Sequence, residues 1–241
     1  MKHRCVIDFL EVVSMIDYRQ FRLSKLNSPE FSHLKYLFFW PVYGLAFMLL
    51  ERFLTLDYTY MHCALDDVIP FCEYFIVPYL FWFVYLIGML GYTLFFDKKS
   101  FVYMMKLIII TCTAACAAYA IFPSAQALRP VVFERSNIFT DIVRGFYEFD
   151  TNTNVCPSVH VSSSVVILMT AWNSKHFHTI PYRIAFAATT ALICLSTVFL
   201  KQHSVIDVIC GLIICVAAEI IIRVTDACCK RKCTSEVHKK A

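Results

Sequence analysis

Six apolar runs alternate with short polar intervals along the chain, at about 34–53, 69–96, 101–122, 157–173, 181–200 and 204–224. Each approaches the roughly 20 helical residues needed to cross a bilayer core of about 30 Å, so the pattern predicts six transmembrane helices. Ahead of them, Val6, Phe9, Leu10, Val13 and Ile16 recur at helical spacing with Asp8, Glu11 and Asp17 among them. That spacing predicts an amphipathic helix lying on the membrane surface within residues 1–33. Pro41 and Pro78 fall inside two of the runs, where a bundle tolerates a kink. The connection 123–156 is longer than a simple turn requires. Within it Ile138, Phe139, Ile142, Val143, Phe146 and Tyr147 make one apolar stripe after a Ser136–Asn137 cap signal, predicting a short interfacial helix. The expected fold class is all-α: an integral membrane bundle of six transmembrane helices with an N-terminal amphipathic surface helix and an interfacial helix between the third and fourth crossings. The expected division is a cytoplasmic segment 1–33, a membrane domain 34–227 and a basic, cysteine-containing tail 228–241.

Composition agrees. With 59% hydrophobic residues and a mean hydropathy of +0.62, the chain is too apolar for an ordinary soluble domain. The first residues lack the uninterrupted apolar core and small-residue cleavage site of a signal peptide, so the N-terminus is expected to be retained. Lysine and arginine gather in the N-terminal segment, at 97–100, at 174–183 and in the tail, while 53–96 has none. The positive-inside rule then places both termini in the cytoplasm and the 54–68, 123–156 and 201–203 connections on the opposite side. The net charge of +4 sits beside the crossings, which suits anionic lipid and argues against a nucleic-acid partner. Of the twelve cysteines, Cys112, Cys116, Cys194, Cys210 and Cys215 read as small core hydrophobes. Cys228, Cys229 and Cys233 lie in a palmitoylation context, and Cys63 and Cys72 could pair in an oxidising compartment.

Polar residues inside such a chain carry the chemistry. His203 and Asp207 are four apart on a run that continues helically, which lets the side chains touch. An intramembrane ionisable residue is a functional candidate by default, and a carboxylate on one imidazole nitrogen makes the other a better base or nucleophile. His160, in CPSVH, and Arg129, in ALRP, fall at the same membrane level under this topology. Arginine offers a planar fork for phosphate oxygens. Ser158, at a helix start, would add a donor or simply cap the helix; Lys201 would bind phosphate or snorkel to the interface. His62, Asp66 and Asp67 resemble a loose metal-ligand set, but Asp67 reads more simply as a cap for the second crossing. Glu219 and Arg223 read as an i,i+4 pair, and His176 and His178 belong to the opposite face.

Arg129-Pro130, then Pro157-Ser158-Val159-His160, then Ser196-Thr197-x5-His203-x3-Asp207 resemble the three-part signature of the type 2 phosphatidic acid phosphatase superfamily. That signature is Lys-x6-Arg-Pro, Pro-Ser-Gly-His and Ser-Arg-x5-His-x3-Asp. Phe122 stands at the first-motif lysine, Val159 at the glycine and Thr197 at the third-motif arginine. The leaner pattern is similar to the subgroup of inositol phosphorylceramide and sphingomyelin synthases. The resemblance implies that His203 attacks phosphorus to form a phosphohistidine, with Asp207 orienting it. It further implies that His160 protonates the leaving oxygen and then activates the acceptor, while Arg129 and Ser158 hold the phosphate, with Lys201 the candidate for a missing cation and no metal or cofactor. The expected activity is hydrolysis of a lipid phosphate or diphosphate at the non-cytoplasmic surface, with membrane lipids around it. A phosphotransferase moving a phospho-headgroup uses the same histidines. A transporter with a His–Asp proton relay is the third alternative, opposed by the polar residues gathering at one surface and by the lack of an inverted repeat.

Overall fold

The computed structural model describes residues 16–53 and 57–238. Val6, Phe9, Leu10 and Val13 of the expected surface helix lie outside the described residues; from residue 16 to the first crossing the chain forms short 3-10 turns. Eight α-helices follow among the described residues: α1 (Phe39–Phe53), α2 (Ala64–Val68), α3 (Ile76–Phe96), α4 (Lys98–Ile121), α5 (Ile138–Phe149), α6 (Val159–Asn173), α7 (Ile180–Phe199) and α8 (Val205–His238). Two strands of two residues, β1 (Thr59–Tyr60) and β2 (Ser124–Ala125), pair in parallel.

Among the described residues, five helical segments are long and apolar enough to cross a membrane: Ser32–Arg52, Glu73–Phe96, Lys98–Ile121, Ile180–Phe199 and Val205–Cys229. The expected sixth, α6, has 15 residues, about 22 Å of helix, which is short of a bilayer core. Its surroundings account for the difference. Val161, Ser162, Ser163, Ser164, Val166, Ile167, Thr170 and Ala171 are all buried, so α6 is enclosed by α3, α4, α7 and α8. Enclosure also explains its polarity, since Ser163, Ser164 and Thr170 donate to carbonyls four residues back. Around it Met104, Leu107, Ile108, Ile193, Cys215 and Ala218 complete the core, whereas Val84, Ile87, Ile213 and Val216 face outward, as lipid contact requires.

Local chemistry places the ends. Asp97 caps α4 by accepting from the Ser100 amide and hydroxyl, and it also takes the Ser174 hydroxyl at the end of α6. Pro41 and Pro78 sit in the first turns of α1 and α3, just after the 3-10 segments Ser32–Phe38 and Glu73–Phe75, so each falls where the chain passes from 3-10 to α geometry and not in the middle of an α-helix. Asn137 caps α5 through the Phe139 and Thr140 amides. Val143 is buried there, with Phe139, Phe146 and Tyr147 against the Ile76–Tyr79–Leu200 cluster, while Ile138 and Ile142 are exposed. The stripe is therefore divided between a protein-facing and an outward-facing part. The last helix continues through the basic tail to His238.

Candidate active site

The site lies at the end of the bundle where α3 and α6 begin and α7 ends. After α7 the chain reverses tightly. The Thr197 carbonyl accepts from both the Gln202 and His203 amides at 3.0 and 3.1 Å, and Lys201 takes a left-handed backbone with φ of 54°. His203 thus precedes α8 instead of lying on it, a correction to the expected i,i+4 helical pair. The contact survives, with His203 Nδ1 at 3.4 Å from Asp207 Oδ2. Asp207 is fully buried and also accepts from the Ser204 amide at 2.9 Å, which fixes its carboxylate against the turn.

His160 occupies the first turn of α6. Its ring stacks on Tyr79 at 4.5 Å and meets Trp82 at 4.2 Å, and Trp82 is itself held by a 2.7 Å bond to Ser163 Oγ. The His160 and His203 ring centroids are 6.0 Å apart. His160 Nε2 is buried without a hydrogen-bond partner among the described residues. Ser158 is the N-cap of α6, its hydroxyl 3.4 Å from the Val161 amide, while its own N–H donates to the Asp207 carbonyl at 3.1 Å. Gly211 makes that crossing possible, because a Cβ there would meet the Ser158 carbonyl at 3.0 Å.

Arg129 reaches in from the 123–137 connection. It donates to the carbonyls of Tyr147 and Thr151 and to Gln202 Oε1, at 3.1, 3.0 and 2.5 Å, and lies over the Tyr147 ring at 4.5 Å. Burial lowers its pKa from the ordinary value, with Asp150 opposing, yet a guanidinium stays charged. Two buried donors beside the histidines, Arg129 Nε and Gln202 Nε2, have no partner among the described residues. Unpaired buried donors are costly, and an anion is the ligand that would satisfy them.

Lys201 is not brought to this group. Its Nζ donates to the Asp66 and Ile69 carbonyls at 2.6 and 2.5 Å. Asp66, 2% exposed, accepts from the Cys63 amide at 2.8 Å, the Ser204 hydroxyl at 2.5 Å and the Val205 amide at 2.9 Å. Burial pushes its carboxyl up, but those bonds outweigh it and hold the pKa below the ordinary value. The 63–69 loop therefore grips the turn on both sides of His203. Asp67 pairs instead with exposed His62 at 2.8 Å and does not cap the second crossing, which begins at Glu73. Cys63 and Cys72 are free thiols, and Glu219 pairs with Arg223. His176 bonds Tyr92 near the far end of α3, away from His160.

Sequence reasoning missed Gln202, Tyr79 and Asp150, and took Asp66 only as part of a loose metal-ligand set. Gln202 adjoins His203 and was open to notice; the others became relevant only through tertiary contact. The sequence pattern that defines the PAP2 superfamily matches residues 103–227. The chain belongs to the PAP2 superfamily. Members are phosphatases or phosphotransferases, and with its apolar helices this PAP2 protein is a membrane phosphatase-type enzyme. Comparison with curated proteins and with solved structures gives no match.

Proposed function

We propose that this PAP2 protein cleaves a phosphoester of a membrane lipid through a phosphohistidine on His203. The observation that carries the reading is the pairing of two imidazoles 6.0 Å apart with the unpartnered donors of Arg129 and Gln202. With Nδ1–H directed at Asp207, the lone pair of His203 Nε2 attacks phosphorus. The bond from phosphorus to the leaving oxygen breaks, and His160 gives that oxygen its proton. His160 then takes a proton from the acceptor, whose oxygen attacks phosphorus and breaks the P–N bond. Arg129 and Gln202 supply donors for the charge that develops on the phosphoryl oxygens. Ser158 contributes by fixing the helix start, and its hydroxyl is the remaining candidate donor.

Water as acceptor makes the enzyme a lipid phosphate or diphosphate phosphatase. A lipid or polyol hydroxyl makes it a phosphotransferase, a reading favoured by the reduced cation set, since Phe122 and Thr197 replace two cations of the signature and Lys201 bonds carbonyls. The short α6 would leave the site recessed below the membrane surface. In this reading both termini are cytoplasmic, the site faces the other side, and the outward face of α5 lies in the headgroup layer. His203→Ala and His160→Ala should each abolish phosphate release or headgroup transfer in membranes. Near-normal turnover by either variant refutes the assignment, and product analysis separates free phosphate from a new phosphodiester.

A further inference from the structure

Asp150 is a carboxyl group that phosphohistidine chemistry leaves without a role. It follows the last turn of α5, and Arg129 brackets it by donating to the carbonyls of Tyr147 and Thr151. Its Oδ2 is 3.5 Å from the Tyr79 hydroxyl, and the Tyr79 ring stacks on His160. Burial raises its pKa above the ordinary value, while the charges of His203 and Arg129 oppose that shift; both act on the same carboxyl. Among the described residues no ion pair within 4 Å neutralises it. Glu51 adds a second carboxylate nearby, held by the Thr151 hydroxyl at 2.6 Å. Arg129 and Asp150 thus sit side by side behind the Tyr79 ring that stacks on His160, with the Glu51 carboxylate next to them.

We propose that Asp150 is a specificity-determining residue that makes the pocket take a singly charged phosphoryl group, that of a phosphodiester lipid, in preference to a dianionic phosphomonoester. The inference rests on the reading of His203, His160 and Arg129 as the phosphoryl site. At an effective dielectric of about 20, a carboxylate charge anywhere from about 6 to about 12 Å from a second phosphoryl charge weakens its binding on the order of a hundredfold to tenfold. A singly charged diester avoids that cost and keeps the Arg129 and Gln202 donors.

The test uses the full chain in detergent and two probes, monododecyl phosphate and didodecyl phosphate, with binding read by calorimetry. The monoester gains its second charge near a pKa of about 6; the diester carries one charge throughout. Wild type should lose about tenfold in its monoester-to-diester affinity ratio between about pH 5 and about pH 8. The charges of Arg129 and Glu51 and the two imidazoles also act on the second phosphoryl charge, but alike in wild type and Asp150→Asn, so the difference between the two proteins isolates Asp150. Asp150→Asn should recover most of that loss at about pH 8, and Asp150→Glu should retain it. A wild-type ratio that is flat with pH overturns the proposal without any variant, as does Asp150→Asn with an unchanged ratio. Failure of the nucleophile assignment reads separately, as undiminished turnover by His203→Ala.

Discussion

Replacing Asp66 by alanine tests whether the 63–69 loop holds His203, the proposed nucleophile. The side chain accepts three hydrogen bonds, from Cys63 N, Ser204 Oγ and Val205 N, at 2.8, 2.5 and 2.9 Å. A bond to a charged group contributes about 1.5–3 kcal/mol, but neighbours share the loss and water enters the vacated space. A total of about 3–5 kcal/mol is expected, including roughly 1 kcal/mol for the uncapped start of α8. Asp66→Asn keeps an acceptor oxygen and should lose about 1–2 kcal/mol. Because His203 sits between Lys201 and Ser204, a slackening of about 1 Å would lower kcat on the order of a hundredfold. Equilibrium unfolding in mixed micelles and lipid turnover measure the two effects. A double-mutant cycle with Ser204→Ala should give a coupling of at least about 1 kcal/mol. The sign with pH also follows. A carboxyl whose folded pKa is lowered stabilises above its unfolded pKa and loses that contribution as pH falls through the folded value, so the gap between wild type and Asp66→Ala should narrow in acid. Additive single-variant effects, or Asp66→Ala within about 0.5 kcal/mol of wild type, would refute the grip.

Two glycines should respond oppositely to alanine. At Gly211 the added methyl meets the Ser158 carbonyl at 3.0 Å and Val161 at 3.2 Å, so overpacking of about 1–3 kcal/mol exceeds the helix-propensity gain, whereas Gly88 has open space and should gain up to about 1 kcal/mol; thermal unfolding ranks the two. Lys201→Met should lower stability and kcat while KM stays within about threefold, because the ammonium bonds two carbonyls and its loss leaves them unpaired. A tenfold or larger rise in KM, read by steady-state kinetics, would instead make Lys201 a phosphate ligand.

The apolar periods located the helices well because lipid and core both demand them, and the same patterns could not tell which helix is enclosed. In α6 the serines at 162–164 were the available sign that its environment differs. The order of Arg129, His160, His203 and Asp207 along the chain was enough to expect one site, and the structure has Arg129 in the 123–137 connection with the other three at or just before helix starts. Asp66 was misjudged because capping is a local inference, and Asp67 is the nearer residue to the apolar run. Its neighbour's actual partners, Ser204 and Val205, are more than 130 positions away. Lys201 likewise reads as a cation beside a nucleophile until the left-handed turn sends its Nζ to the 66 and 69 carbonyls.

The matched stretch, 103–227, contains His160, His203, Asp207 and Arg129, and none of the groups that hold the two imidazoles from outside. Tyr79 and Trp82 bear on one ring, and Asp66 grips the turn that carries the other. The chemistry and its support therefore belong to different parts of the chain. Loss of a supporting residue should change how well the histidines are placed without changing what they do. Residues 62–82 would then tune rate within this enzyme, while the motif residues decide whether there is any reaction to tune.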